Sequence, residues 1–154
     1  DDRDTRGTTK PHEGAQKDDG RGLPNAAFEK GQKTLALLNP EGLGQGEGWD
    51  LAGSHAPGLH WFGTGLLYGD LFADIALDQR TKLLAVVAAA TAHGGVSEQL
   101  GFYVETALNG GASRQDVVDV ITLMSAIGSF GKAQNALSVA ERVFHRRDNV
   151  GLPR

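Results

Sequence analysis

The sequence predicts an all-α fold: one helical domain of about six helices behind a polar N-terminal arm. Three observations predict it. No segment sustains the period-two alternation of a half-buried strand. Beyond residue 22, apolar side chains return instead at three- and four-residue spacing. Helix-ending signals, Asn39-Pro40, Gly94-Gly95 and Gly110-Gly111, separate these runs at helical intervals. At 154 residues the chain can bury one core, and the domain is read as residues 23–154.

Residues 1–22, DDRDTRGTTKPHEGAQKDDGRG, hold no large apolar side chain. They cannot offset the entropy of ordering, so they read as a solvated arm, either a disordered terminus or a strap around a neighbouring subunit. Asn25 is the expected cap of a first helix that turns Phe28, Leu35 and Leu38 to one face and stops at Asn39-Pro40. The stretch EGLGQGEGWDLAGS, residues 41–54, reads as a loop pinned by Trp49 and Leu51. Pro57 then suits the first turn of a helix carrying Leu59, Phe62, Leu66 and Leu67. Four glycines, at 58, 63, 65 and 69, weaken that helix by about 1 kcal/mol each relative to alanine, which requires close packing in return.

Asp78 caps the next helix, apolar all round from Leu83 to Ala90 and therefore read as buried and central; Gly94 ends it. Ser97 is the expected cap of a helix whose stripe is Leu100, Val104 and Leu108. Ser113 and Asp116 resemble a capping box for a helix that turns Val117, Val120, Ile121 and Met124 inward. The last helix is expected from about Lys132 to Phe144, burying Ala136, Leu137, Ala140, Val143 and Phe144.

Composition excludes several classes of function. The net charge is −4, and the only basic cluster is His145-Arg146-Arg147, so no nucleic-acid partner is expected. With no cysteine, thiol nucleophiles, thiolate metal sites and dithiol redox chemistry are impossible. No apolar run approaches the ~20 residues of a membrane helix, and no membrane partner is expected. The expected compartment is the cytoplasm, the alternative being an exported protein whose signal peptide has been removed. There is no GxSxG, no P-loop and no GxGxxG between strand and helix.

The candidates for chemistry are few. His55 and His60 miss the i, i+4 spacing of a helical metal pair, so no metal is expected, and His60 beside Trp61 reads as a pocket or interface residue. His93 falls in a last helical turn, where the dipole favours a cation. Asp70, late in an apolar helix, needs a partner such as Arg80 or Lys82, or a raised pKa. Gln99, Tyr103 and Thr106 share a half-polar face; Glu105, about 200° from Tyr103, is expected to meet solvent or another subunit. Tyr103 either fills space with its ring or handles a proton with its hydroxyl.

From residue 56 to 144 the chain resembles the carboxymuconolactone decarboxylase family, which shares its helical fold with AhpD-type alkylhydroperoxidases. The resemblance rests on Gly69-Asp70, on LDQRTK at 77–82, on Ala-Leu-Asn-Gly-Gly at 107–111 and on the span from Ser113 to Asp116. FEKGQKTLALLNPEG, from Phe28, is similar to the family's first helix. The resemblance implies homotrimers or homohexamers with a pocket near subunit contacts. It also implies proton-transfer chemistry on a small carboxylate, lactone or related carbonyl compound without metal or organic cofactor. The reaction would be decarboxylation, or a cyclisation or isomerisation. A thiol peroxidase is excluded by the missing cysteines. Family members usually carry His where Tyr103 stands, and Tyr then Gly-Phe-Pro where this chain has Ile127, then Ser129-Phe130-Gly131. The implied catalytic set is Tyr103, Asp70 and His60, with Trp61, Gln99 and Phe130 against the substrate. The alternative is a non-catalytic oligomeric binding or scaffold protein that keeps the fold.

Overall fold

Asp78 supplies the side-chain acceptor that a helix start lacks: Thr81 N–H donates to its Oδ1 at 3.0 Å and the Thr81 hydroxyl to its Oδ2 at 2.5 Å. In the computed structural model, which describes residues 25–43 and 46–153, the described residues form seven helices and no strand. The expected arm lies outside the described residues. We number the helices α1 (Asn25–Leu38), α2 (Glu47–His55), α3 (residues 57–74), α4 (Gln79–His93), α5 (Ser97–Asn109), α6 (Arg114–Ile127) and α7 (Phe130–Asn149). Helix α3 is α-helical over Pro57–Trp61, π-wound over Phe62–Leu71 and α-helical again over Phe72–Asp74.

The core lies among α4 to α7. Leu83 and Val87 of α4 meet Leu100, Val104 and Ala107 of α5, Val117 and Ile121 of α6, and Ala136, Ala140 and Val143 of α7. Burying each of the larger aliphatic side chains contributes about 1.5–3 kcal/mol. Helices α1 and α3 pair with each other and join this core through Leu38, Tyr68 and Phe72.

The α1–α3 pair explains two glycines, Gly31 and Gly69. A Cβ on Gly31 would stand 1.7 Å from the Thr64 carbonyl oxygen, and one on Gly69 would stand 2.1 Å from that of Ala27. The two backbones touch through residues that have no side chain, which is the close packing the sequence required.

Several expectations hold and others are corrected. Pro57, Gly94, Gly110 and Gly128 mark helix ends as expected. Ser113 and Asp116 form the capping box: Ser113 N–H donates to Asp116 Oδ2 at 2.7 Å and Asp116 N–H to Ser113 Oγ at 3.1 Å. The stretch 41–54 is not all loop, because α2 begins at Glu47; Trp49 packs on the core but Leu51 is exposed. Val96, not Ser97, occupies the cap of α5, and no side chain bonds its first turn. Helix α4 is not buried all round: Ala85 and Ala89 face outward, since small side chains leave an apolar helix surface that needs no cover. The last helix runs five residues past Phe144, which brings Arg146 and Arg147 into it.

Leu59, Phe62 and Leu66, an inward stripe for a helix of 3.6 residues per turn, are exposed. His60, Thr64 and Tyr68, spaced by four, take the inner side instead, the two rings against Trp49 and the Thr64 backbone against Gly31.

Candidate functional site

Helix α3 places two polar side chains, His60 and Tyr68, against the indole of Trp49. The Trp49 ring stands edge-on to His60, with centroids 5.3 Å apart, and to Tyr68, at 6.3 Å. Phe28 of α1 closes the far side of His60 at 5.7 Å. Tyr68 then meets Phe102 at 6.3 Å in a perpendicular contact, and Phe102 meets Tyr103 at 6.0 Å. A continuous run of rings thus leads from His60 to Tyr103.

The polar atoms along this run lack protein partners. His60 Nδ1 and Thr64 Oγ1 are buried without a hydrogen bond. Each such atom, left unbonded, costs about 1–3 kcal/mol. No described residue hydrogen-bonds the hydroxyl of Tyr68 or Tyr103. Burial pushes both phenols above their ordinary range; Tyr68 moves further, and its proximity to Tyr103 adds to the shift. At neutral pH each is an uncharged O–H, suited to donating a hydrogen bond or a proton and unsuited to acting as a base.

The expected site residues divide into two groups. His60 and Tyr103 stand at the two ends of the aromatic run. Trp61, half-buried, lies over Gly65, where a Cβ would come within 3.1 Å of its indole. Asp70, Gln99 and Phe130 are exposed and lie outside the run, Phe130 at 70%. The expected partners of Asp70 are engaged elsewhere. Arg80 pairs with Asp116 at 2.7 Å, and Lys82 Nζ donates to the carbonyls of Phe72 and Ile75, both at 3.0 Å. Asp70 needs no ion pair because it is exposed and water solvates it. Among the described residues no three of His, Asp and Glu gather as metal ligands would.

A family model, the carboxymuconolactone decarboxylase family, matches residues 57–142. The chain belongs to that family. It is also 34% identical over 82 residues to an uncharacterized 15.0 kDa protein of Paracoccus denitrificans from the nqo9–nqo10 intergenic region. That match spans 53% of this chain and 61% of the relative, less than two thirds of its length. No described helix is long and apolar enough to cross a membrane.

Within this family member, a second polar centre escaped the sequence reading. Glu105, expected to face solvent or a partner, is fully buried on α5. Arg147 Nη1 donates to its Oε1, and Arg146 Nη2 to its Oε2 at 3.1 Å. Arg147 Nη1 also donates to Asn109 Oδ1 at 2.8 Å, and Asn109 Nδ2 to the Leu38 carbonyl at 2.9 Å. Two signals were present: Glu105 and Asn109 are an i, i+4 pair, and Glu105 adjoins Val104 of the apolar stripe. Their arginine partners were hidden by ending the last helix too early. Tyr68 and Thr64 were missed for a different reason: the apolar Leu59, Phe62 and Leu66 were read as the inward face of α3, and they are exposed.

Proposed function

We propose that this chain is a cofactor-independent enzyme acting by proton transfer on a small carboxylate, lactone or related carbonyl compound, with Tyr103 and Tyr68 as neutral donors. One observation carries the reading: two phenols, both held un-ionised by burial and both without a protein partner, lie on one aromatic run in a carboxymuconolactone decarboxylase family member. In a decarboxylation, the electron pair of the C–CO2 bond moves into the adjacent conjugated carbonyl as CO2 leaves. The resulting enolate oxygen takes a hydrogen bond from one phenol, and a phenolic proton passes to carbon. Water then returns a proton to the phenolate. His60 Nδ1 and Thr64 Oγ1 would hold polar groups of the substrate, and the rings of Trp49, Tyr68 and Phe102 its apolar part. Asp70 is given no step.

The proposed assembly is a homotrimer or homohexamer, in which Trp61, Gln99 and Phe130 would reach substrate at subunit contacts. Leu59, Phe62 and Leu66, exposed at 64%, 52% and 41%, support a covered face there. Sedimentation of the purified protein is expected to give three or six times the 16.2 kDa chain mass, and a 16.2 kDa particle would remove the assembly. The same apolar face favours the second reading, a non-catalytic scaffold.

Turnover of small lactone acids, followed by CO2 release, separates the two readings. Tyr103→Phe is expected to keep the fold and slow turnover at least about tenfold, or 1.4 kcal/mol in barrier. An unchanged rate would take Tyr103 out of the mechanism. A wild-type protein inert toward every lactone, keto and carboxylate substrate would favour the scaffold.

A further inference from the structure

On the side of α5 opposite Tyr103, a groove of about 280 Å³ opens between the start of that helix and the second half of α7. Gly101, Val139 and Val143 form an apolar floor, and Arg142 and Arg146, one helical turn apart on α7, form a cationic wall. Buried Glu105 holds Arg146 by Nη2, and the Arg146 Nε–H is buried with no acceptor. Arg142 has no ion pair among the described residues, and it is exposed.

The groove's one carboxylate, Glu98, does not neutralise this wall. Its Oε2 lies 3.2 Å from where a Cβ on Gly46 would stand and 3.7 Å from one on Gly48. Glu98 therefore leans on the first turn of α2, whose positive dipole end favours it. The uncapped first turn of α5, with Ser97 at the groove, adds free amide N–H groups on the same side.

We propose that this groove is a second ligand site, separate from the aromatic run, for a small monocarboxylate with an apolar body. The guanidinium of Arg142 and the fixed Arg146 Nε–H take the carboxylate oxygens, and the two valines and Gly101 take the hydrocarbon. The volume accommodates a single ring with its carboxylate. The site rests on Arg146 being placed in advance by Glu105, which lowers the ordering cost of binding.

Benzoate is the probe, titrated calorimetrically into the full-length chain at low salt, with inorganic phosphate as the comparison. Saturable binding of benzoate and at least tenfold weaker binding of phosphate are expected. Arg142→Gln, an exposed change that leaves the Glu105 pair intact, is expected to weaken benzoate at least tenfold. Gly101→Leu, which fills the floor without disturbing helix formation, is expected to abolish binding, with an unchanged circular dichroism spectrum as the check on folding. Tyr103→Phe is expected to leave this binding unchanged. The proposal is overturned by no saturable binding of benzoate, by phosphate binding as tightly, or by benzoate affinity that survives both groove variants or falls with Tyr103→Phe.

Discussion

Tyr68 and Tyr103 are the chain's two tyrosines, so its phenolate absorbance reports on the aromatic run alone. Burial raises both pKa values above the ordinary 10. The folded state then holds these protons more tightly than the unfolded chain. Their contribution to stability is complete below pH 10 and is lost as pH rises through 10 toward the folded values. An alkaline titration of the native protein is expected to place both midpoints above 10, Tyr68 the higher. A midpoint at 10 would mean that the ring in question is solvated. Tyr103 could be singled out in the sequence because its position in the helix resembles the family's. Tyr68 could not, because the apolar Leu59, Phe62 and Leu66 marked the opposite side of that helix as the inward one. Asp70 drew notice as an acid in an apolar helix, yet exposure alone accounts for it. Asp116 shows what a well-placed partner does: the Ser113 N–H first, then Arg80, hold its carboxyl down to about 2.

Among the elements, α1 and α3 are the most demanding pair. Their glycines at 31 and 69 let two backbones meet where any Cβ would overlap a carbonyl oxygen. Gly69→Ala is expected to destabilise the protein by about 1–3 kcal/mol in urea unfolding, since the helices must separate to admit the methyl group. Gly101→Ala is the contrast. Its Cβ would meet Val139 at an ordinary 3.7 Å, and helix propensity then stabilises by up to about 1 kcal/mol. Equal effects from the two would refute the close approach. That Gly69 needs a packing reason was legible in the number of glycines within its helix. Which backbone it meets was not, because Gly31 and Gly69 are far apart in sequence and nothing local links them. The one helix beyond the expected six, α2, was hidden for the opposite reason: its glycines signal a loop, and only Trp49 lying against His60 and Tyr68 explains why the segment is held.

Across the whole molecule, one buried polar network ties the first described helix to the last. It runs from the Leu38 carbonyl through Asn109 to Arg147, whose Nη2 lies 3.4 Å from the Pro153 carbonyl, and closes on Glu105 and Arg146. Removing one side of a buried pair leaves the other charge uncompensated. Glu105→Gln is expected to cost about 3–5 kcal/mol in urea unfolding, a large part of a small domain's stability. A loss below about 1 kcal/mol would mean that water reaches Arg147. The sequence by itself determined the helical class, the absence of thiol chemistry, most helix ends and the family resemblance, because those depend on residue type and short spacing. Tertiary structure alone decided that Glu105 is buried against two arginines, that α3 turns His60, Thr64 and Tyr68 inward, and that an arginine-walled groove backs α5. Each of these depends on how helices distant in the chain lie against one another, and no local rule carries that information.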